Sequence, residues 1–398
     1  MYGNLLFYKD CVLGMPRLGA VFLLFATAVW AAPYVPRDDA AVLERLPTRR
    51  GDPVMAELRQ MRAALATSPA DAGTAARLAQ RYFDLAMAEG DPRYVGYAEA
   101  ALRPWPGDDA PAEILFTRGL LRQYRHDFAR GMKDFERTLQ RVPGHVDART
   151  WRAAIFMVQA DYSAAARECA ALRGYASELT ATGCLAYVEA TTGKTRAAYG
   201  RLSAALEGQP NASVGTRLWT ETRLAEMAWR LGDAPLAERH FTAALKLGVS
   251  DNFLLAAYAD FLLEQERPKE VVALLQDWVR SDTLLLRLAI AEKTLRLPAA
   301  QAHAQALGDR FAAAALRGER LHMGEEARFL LDLKGDARAA LAVGLENWKE
   351  QREPRDALVV LEAAAAAKDA KAAAPVLQWL NDTGFESERL RRVAASLR

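Results

Sequence analysis

The chain has 398 residues, with 52 Lys and Arg against 50 Asp and Glu, and a formal net charge of +2. That balance, without a long run of one sign, argues against a dedicated nucleic-acid surface, which needs clustered cations to replace phosphate counterions. With 51% hydrophobic residues, heavy use of alanine and few runs of Ile, Val or Thr, the composition reads as helical, with ample material for a core.

The first segment reads as an address. Arg17 supplies a short positive region, Leu18 to Trp30 is uncharged and apolar, and Val29-Trp30-Ala31 provides a cleavage site. The apolar stretch is shorter than the roughly 20 residues that span a bilayer, so a cleaved leader over 1–31 is expected rather than an anchor. Met15 offers a second start. Cys11 follows Lys9 and Asp10 and so lies outside any lipobox. The expectation is an exported protein, periplasmic or secreted in a bacterium, with no integral membrane segment after cleavage. Residues 32–54, with several prolines, read as an extended arm.

Residues 55–111 form an N-terminal helical block, in which 74–106 is an atypical helix pair. From 112 to 285 the chain repeats. Helices of about fourteen residues are expected to begin at Ala112, Val146, Leu179, Leu218 and Asn252, at spacings of 34, 33, 39 and 34. In each unit a small residue of the first helix precedes one of the second by twelve: Gly119 and Gly131, Ala153 and Ala165, Ala186 and Ala198, Ala225 and Ala237, with Ala259 and Val271 last. Small residues let two helices approach, and the bulky residue that follows, such as Phe135 or Phe241, fills the groove. Ala237 is therefore expected in the helix contact and Glu238 in solvent. Turns such as Gly232-Asp233 end the first helices, and Pro143 or Pro210 follow the second. Residues 286–398 continue as divergent units: a pair broken at Pro298, a pair with its turn at Gly335-Asp336, a further pair over 354–380, and a charged final helix from Glu386.

The small-residue, aromatic and proline pattern of Gly119, Gly131, Phe135 and Pro143, echoed by Ala225, Ala237, Phe241 and Ala244, resembles the tetratricopeptide repeat (TPR), a 34-residue helix-turn-helix unit. The family's early Trp is missing at Leu115, Arg149 and Thr182, so the repeats are divergent. The resemblance implies an all-α fold, an α-solenoid of antiparallel helix pairs, with a concave groove lined by the first helices. Mapped onto this chain, that groove takes Phe116, Tyr124, Tyr187, Trp219, Glu226, Trp229, Arg230, Phe253 and Asp260, beside Glu113, Leu120 and Met157. About half of these are expected to be packing between units instead. The Lys and Asn set by which chaperone-binding members clamp a carboxylate has no counterpart at Phe116, Leu120 or Thr150.

Chemistry beyond a surface is sparse. None of the five histidines pairs at metal-ligand spacing, and no phosphate loop, nucleophile elbow or CxxC is present. No catalytic residue, metal site or cofactor is implied. Cys169 and Cys184 are the two cysteines left after the leader, and they fall on helices expected to be neighbours. They read either as small buried hydrophobes or as a disulfide favoured by export. The function expected is that of an adaptor or scaffold holding a protein or peptide partner in the groove. The rival readings are a polysaccharide-binding part of an export or envelope system and, behind it, an enzyme with dispersed residues.

Overall fold

The computed structural model describes residues 38, 52–319 and 322–397. The leader, its cleavage site at Ala31 and nearly all of the arm lie outside the described residues. The region from Pro53 onward is one compact unit. It opens with α1 (Pro53–Thr67), which covers α2 (Ala72–Glu89), itself paired with α3 (Arg93–Leu102). Five pairs follow: α4 (Ala112–Tyr124) with α5 (Phe128–Arg141), α6 (Val146–Val158) with α7 (Tyr162–Ala170), α8 (Glu178–Thr191) with α9 (Thr195–Glu207), α10 (Val214–Arg230) with α11 (Ala234–Leu245), and α12 (Asn252–Glu264) with α13 (Pro268–Leu275). Next come α14 (Asp282–Leu295), α15 (Ala299–Leu316) and α16 (Met323–Phe329), the last passing through a π-helical stretch, Leu330–Lys334. The chain finishes with α17 (Ala337–Glu350), α18 (Pro354–Ala367), α19 (Ala374–Thr383) and α20 (Glu388–Ser396). This is an all-α solenoid of antiparallel helix pairs, with no strand among the described residues. Three expected helix starts move: α8 begins at Glu178, one residue ahead of Leu179, α10 begins at Val214, one turn ahead of Leu218, and α20 begins after Glu386.

The small-residue pattern has a direct physical basis. A Cβ at Gly119 would sit 2.6 Å from the Phe135 ring, and one at Gly131 would sit 3.3 Å from the Gly119 carbonyl oxygen. No larger residue fits that crossing without shifting a helix. Ala225, Ala237, Phe241 and Ala244 are all fully buried in the same relation on α10 and α11. Glu238 departs from its expectation: it pairs with Arg267 at 2.7 Å and accepts a hydrogen bond from the Tyr258 hydroxyl. Between units two and three the sulfurs of Cys169 on α7 and Cys184 on α8 are bonded, with Cα atoms 5.3 Å apart.

The turns inside the pairs share one construction. A residue in the left-handed region ends the first helix, and an Asp then caps the second by accepting from the backbone three residues on. His126-Asp127, Ala160-Asp161, Gly232-Asp233 and Gly335-Asp336 all follow it. Units five and three break the rule: Arg267 stands where the Asp would be in unit five and supplies no side-chain cap, and in unit three the position is held by Lys194, likewise without one. The missing acceptor comes from 191 residues away: Glu386 Oε2 accepts from the Thr195 backbone N–H at 2.7 Å.

That contact belongs to a longer seam. The α17–α20 block folds back along the turns of successive units. Gln351 is hydrogen-bonded to His126 at 3.1 Å, and the Arg352 N–H donates to the Val158 carbonyl at 2.7 Å. Trp379 Nε1 donates to the Tyr162 hydroxyl at 2.7 Å, and Arg389 pairs with Glu264 at 3.2 Å. Gly193 approaches Gly384 so closely that a Cβ there would lie 2.9 Å from the Gly384 carbonyl oxygen. The C-terminal units therefore do not extend the spiral. They close it.

Candidate functional site

Closure converts the concave face into a cavity of about 1970 Å³. The first helices of the pairs form one side, with Tyr124 on α4, Tyr187 on α8 and Phe253 on α12. The other side comes from α14, α16, α18 and α20, through Arg287, Arg328, Arg355 and Arg389. Ligand pockets for small molecules run to about 300–1,000 Å³, so this space is larger than a metabolite site requires.

The wall is organised around α10. Trp219, Arg223, Glu226 and Arg230 recur at helical spacing, so they share one face, and all four line the cavity. The Arg223 guanidinium lies over the rings of Tyr187 at 4.6 Å and Phe253 at 4.4 Å, while its Nη1 pairs with Glu226 at 2.8 Å. Arg230 lies over Phe385 from the C-terminal block at 4.7 Å. Trp219 is the most exposed aromatic of the stripe, at 36%, and leans on Gly183, where a Cβ would meet its ring at 2.7 Å. Glycine at 183 makes room for it.

Of the residues mapped to the groove from the sequence, Tyr124, Tyr187, Trp219, Glu226, Trp229, Arg230, Phe253 and Asp260 all line this cavity. Phe116 does not. Its ring packs on Phe135 and His145, with centroids 5.9 and 4.5 Å away, so it is an inter-unit contact. Leu120 is buried and Glu113 is exposed away from the cavity, whereas Met157 is buried at its wall. Trp229 reaches the cavity edge but stacks edge-on against Phe261 at 5.8 Å and belongs to the packed core. Asp260 is held by Arg287 at 2.7 Å. The open trough expected from the sequence is thus a lumen whose second wall comes from units beyond 320.

Sequence reasoning missed Arg223, Arg287, Glu325, Glu353, Arg355 and Asp356. Arg223 was within reach: it lies four residues after Trp219 and three before Glu226. The others were not, because nothing local around Arg287 or in 320–360 signals that these residues share one cavity with α4 and α10.

Where the two ends meet, the lumen holds several ionisable groups. Burial pushes the His126 imidazole down to about 4, helped by the neighbouring His322. Burial beside the Glu353 carboxylate pushes the Asp356 carboxyl up, and Asp356 accepts from Asn347 Nδ2 at 3.0 Å. Burial opposes ionisation of Glu353 as well, but Arg355 at 2.7 Å holds it below the usual carboxylate range. Elsewhere His240 on α11 bridges Glu221 on α10 at 2.6 Å and the Tyr199 hydroxyl at 2.8 Å, as a hydrogen-bonded core histidine. No group of His, Cys, Asp and Glu among the described residues is arranged to hold a metal ion. No helix among them is long and apolar enough to cross a membrane.

No protein-family model matches the chain, and no curated protein does. Three solved structures are similar in part. Yeast Tom70 gives a TM-score of 0.41 at 15% identity, over 83% of this chain and 61% of that one. A structure of Naa15/Naa10 bound to HypK-THB gives 0.30 at 15%, over 87% and 56%. The P58(IPK) TPR domain gives 0.21 at 14%, over 86% and 97%. The chain thus spans 61% and 56% of the length of the first two. The TPR-like architecture rests on the helix pairing above rather than on these likenesses.

Proposed function

We propose that this protein is a scaffold that holds a segment of a partner protein in the central cavity, after export through its N-terminal leader. One observation carries the reading: a cavity of about 1970 Å³ presents a continuous α10 stripe, with the partly exposed Trp219 set among anchored charges. The size suits an extended chain, and aromatic and Arg anchors dominate partner recognition. The walls are tied by ion pairs and stacked rings, so a bound segment would meet a largely pre-formed surface. A polysaccharide is less well supported, because sugar stacking needs free ring faces and Arg223 already lies over Tyr187 and Phe253.

The experiment is site-specific photo-crosslinking in the cell of origin, with the crosslinker at Tyr187 in the cavity or at Arg239 on the exposed side of α11. The expected result is a protein adduct from Tyr187, absent at Arg239 and reduced by Trp219→Ala at unchanged melting temperature. Adducts from Arg239 alone would overturn the reading. Recovery of the protein in a periplasmic fraction, with an N-terminus at Ala32, tests the export part; an intact leader in cytosolic material would overturn it.

A further inference from the structure

The chain as a whole carries +2, but the described residues lining the cavity include thirteen Asp and Glu against eight Arg and Lys. Charge is therefore segregated, with the acidic excess turned inward. The cavity arginines are also largely committed to the walls. Arg223 pairs with Glu226 at 2.8 Å, Arg287 with Asp260 at 2.7 Å, Arg355 with Glu353 at 2.7 Å, and Arg389 with Glu362 at 2.7 Å. Arg328 also pairs with Glu362. By contrast Glu325 has no direct ion-pair partner among the described residues, with His322, Arg355 and Arg287 near enough to hold its carboxyl below the usual range against burial. Asp251 caps α12, accepting from the Leu254 N–H at 2.7 Å, while burial pushes its carboxyl up. Nearby, Trp219 keeps a ring that is 36% exposed, with the Arg223 guanidinium 5.7 Å from its centroid.

From this we infer that the cavity selects a Lys- or Arg-bearing segment of the partner, a step that rests on the proposed role of the cavity as a partner site. The excess of carboxylates along the walls directs a negative field into the lumen, raising the local concentration of a cationic chain. A Lys or Arg side chain entering there gains Glu325 and Asp251 as counter-charges and the exposed part of the Trp219 ring, which it shares with Arg223, as a contact surface. An acidic segment would face the same carboxylates, and it could reach Arg223, Arg287, Arg328, Arg355 and Arg389 only by competing with their existing pairs.

The test uses the protein without its leader and three fluorescent twelve-residue peptides of equal aromatic content, with Lys, Glu or Ser at alternate positions. Anisotropy is read at low and at physiological salt. The expected result is binding of the Lys peptide alone, weakened by salt. Asp251→Asn with Glu325→Gln, which keeps the cap and the side-chain shapes, should weaken it at least tenfold at unchanged melting temperature. Preferential binding of the Glu peptide, or equal binding of all three, would overturn the charge inference and leave the partner-site reading standing. Lys-peptide binding that ignores the double variant places the contact on the outer surface and overturns the inference. If none of the three binds while photo-crosslinking from Tyr187 yields no adduct, the partner-site reading fails with it.

Discussion

The repeat array α4–α13 and the C-terminal block α17–α20 are built from the same kind of helix pair, yet they are held in different ways. In the array, neighbours meet through small residues facing fully buried rings, as at Gly119 with Phe135 and Ala237 with Phe241. The block has its own apolar core around Trp348, Val360 and Trp379, but it meets the array through polar contacts at the turns: Gln351 with His126, Arg352 with Val158, Glu386 with Thr195. Apolar packing at close range is cooperative and stiff. A seam of hydrogen bonds and ion pairs can open at modest cost, since each contributes about 1 kcal/mol net. The two regions are thus held internally by apolar packing and to each other by a mostly polar seam.

Substitution in the array should give the largest effect. Phe241→Ala removes a fully buried ring between α10, α11 and α12, and the cavity left behind should cost about 3–5 kcal/mol in chemical denaturation. A loss under 1 kcal/mol would mean that the array is not held by ring-into-groove packing.

Acid should act on the seam. The folded state holds the His126 imidazole down at about 4, so it favours the neutral ring, whereas an unfolded or undocked His126 titrates near its ordinary 6.5. Stability from this group is therefore complete above pH 6.5 and is lost as pH falls through 4, up to roughly 3 kcal/mol at 1.36 kcal/mol per pH unit. His126→Asn keeps a residue tolerant of the left-handed turn at φ 57° and an acceptor for Gln351, and should flatten that acid limb. An unchanged slope between pH 6.5 and 4 in the variant would assign the acid loss to other groups.

The smallest effect tests the borrowed cap. Glu386→Ala should cost about 1 kcal/mol, as for loss of an N-cap, and should speed hydrogen exchange at Thr195 without touching the amides of α11. Uniform exchange changes across both regions would mean that block and array unfold as one, which would erase the distinction between them.

Much of the array was legible in the sequence because its determinants are local. The twelve-residue spacing from Gly119 to Gly131 or Ala225 to Ala237 encodes a helix crossing, and an Asp after the turn encodes a cap. The cavity face was legible where it followed helix periodicity, as for Trp219, Glu226 and Arg230. Phe116 was misplaced because the same face of a first helix serves both the cavity and the next unit, and only the position of His145 and Phe135 decides between them.

What the sequence by itself determined is the helical repeat, its pairing and its inter-unit cysteines, since each is set by residues within about forty positions of one another. Tertiary structure alone decided that the spiral closes, that Glu386 caps a helix 191 residues upstream, and that arginines of 320–390 face α10. Small rotations between successive pairs add up along a solenoid, so which distant turns finally meet depends on every crossing angle in between. No short stretch of residues carries that sum.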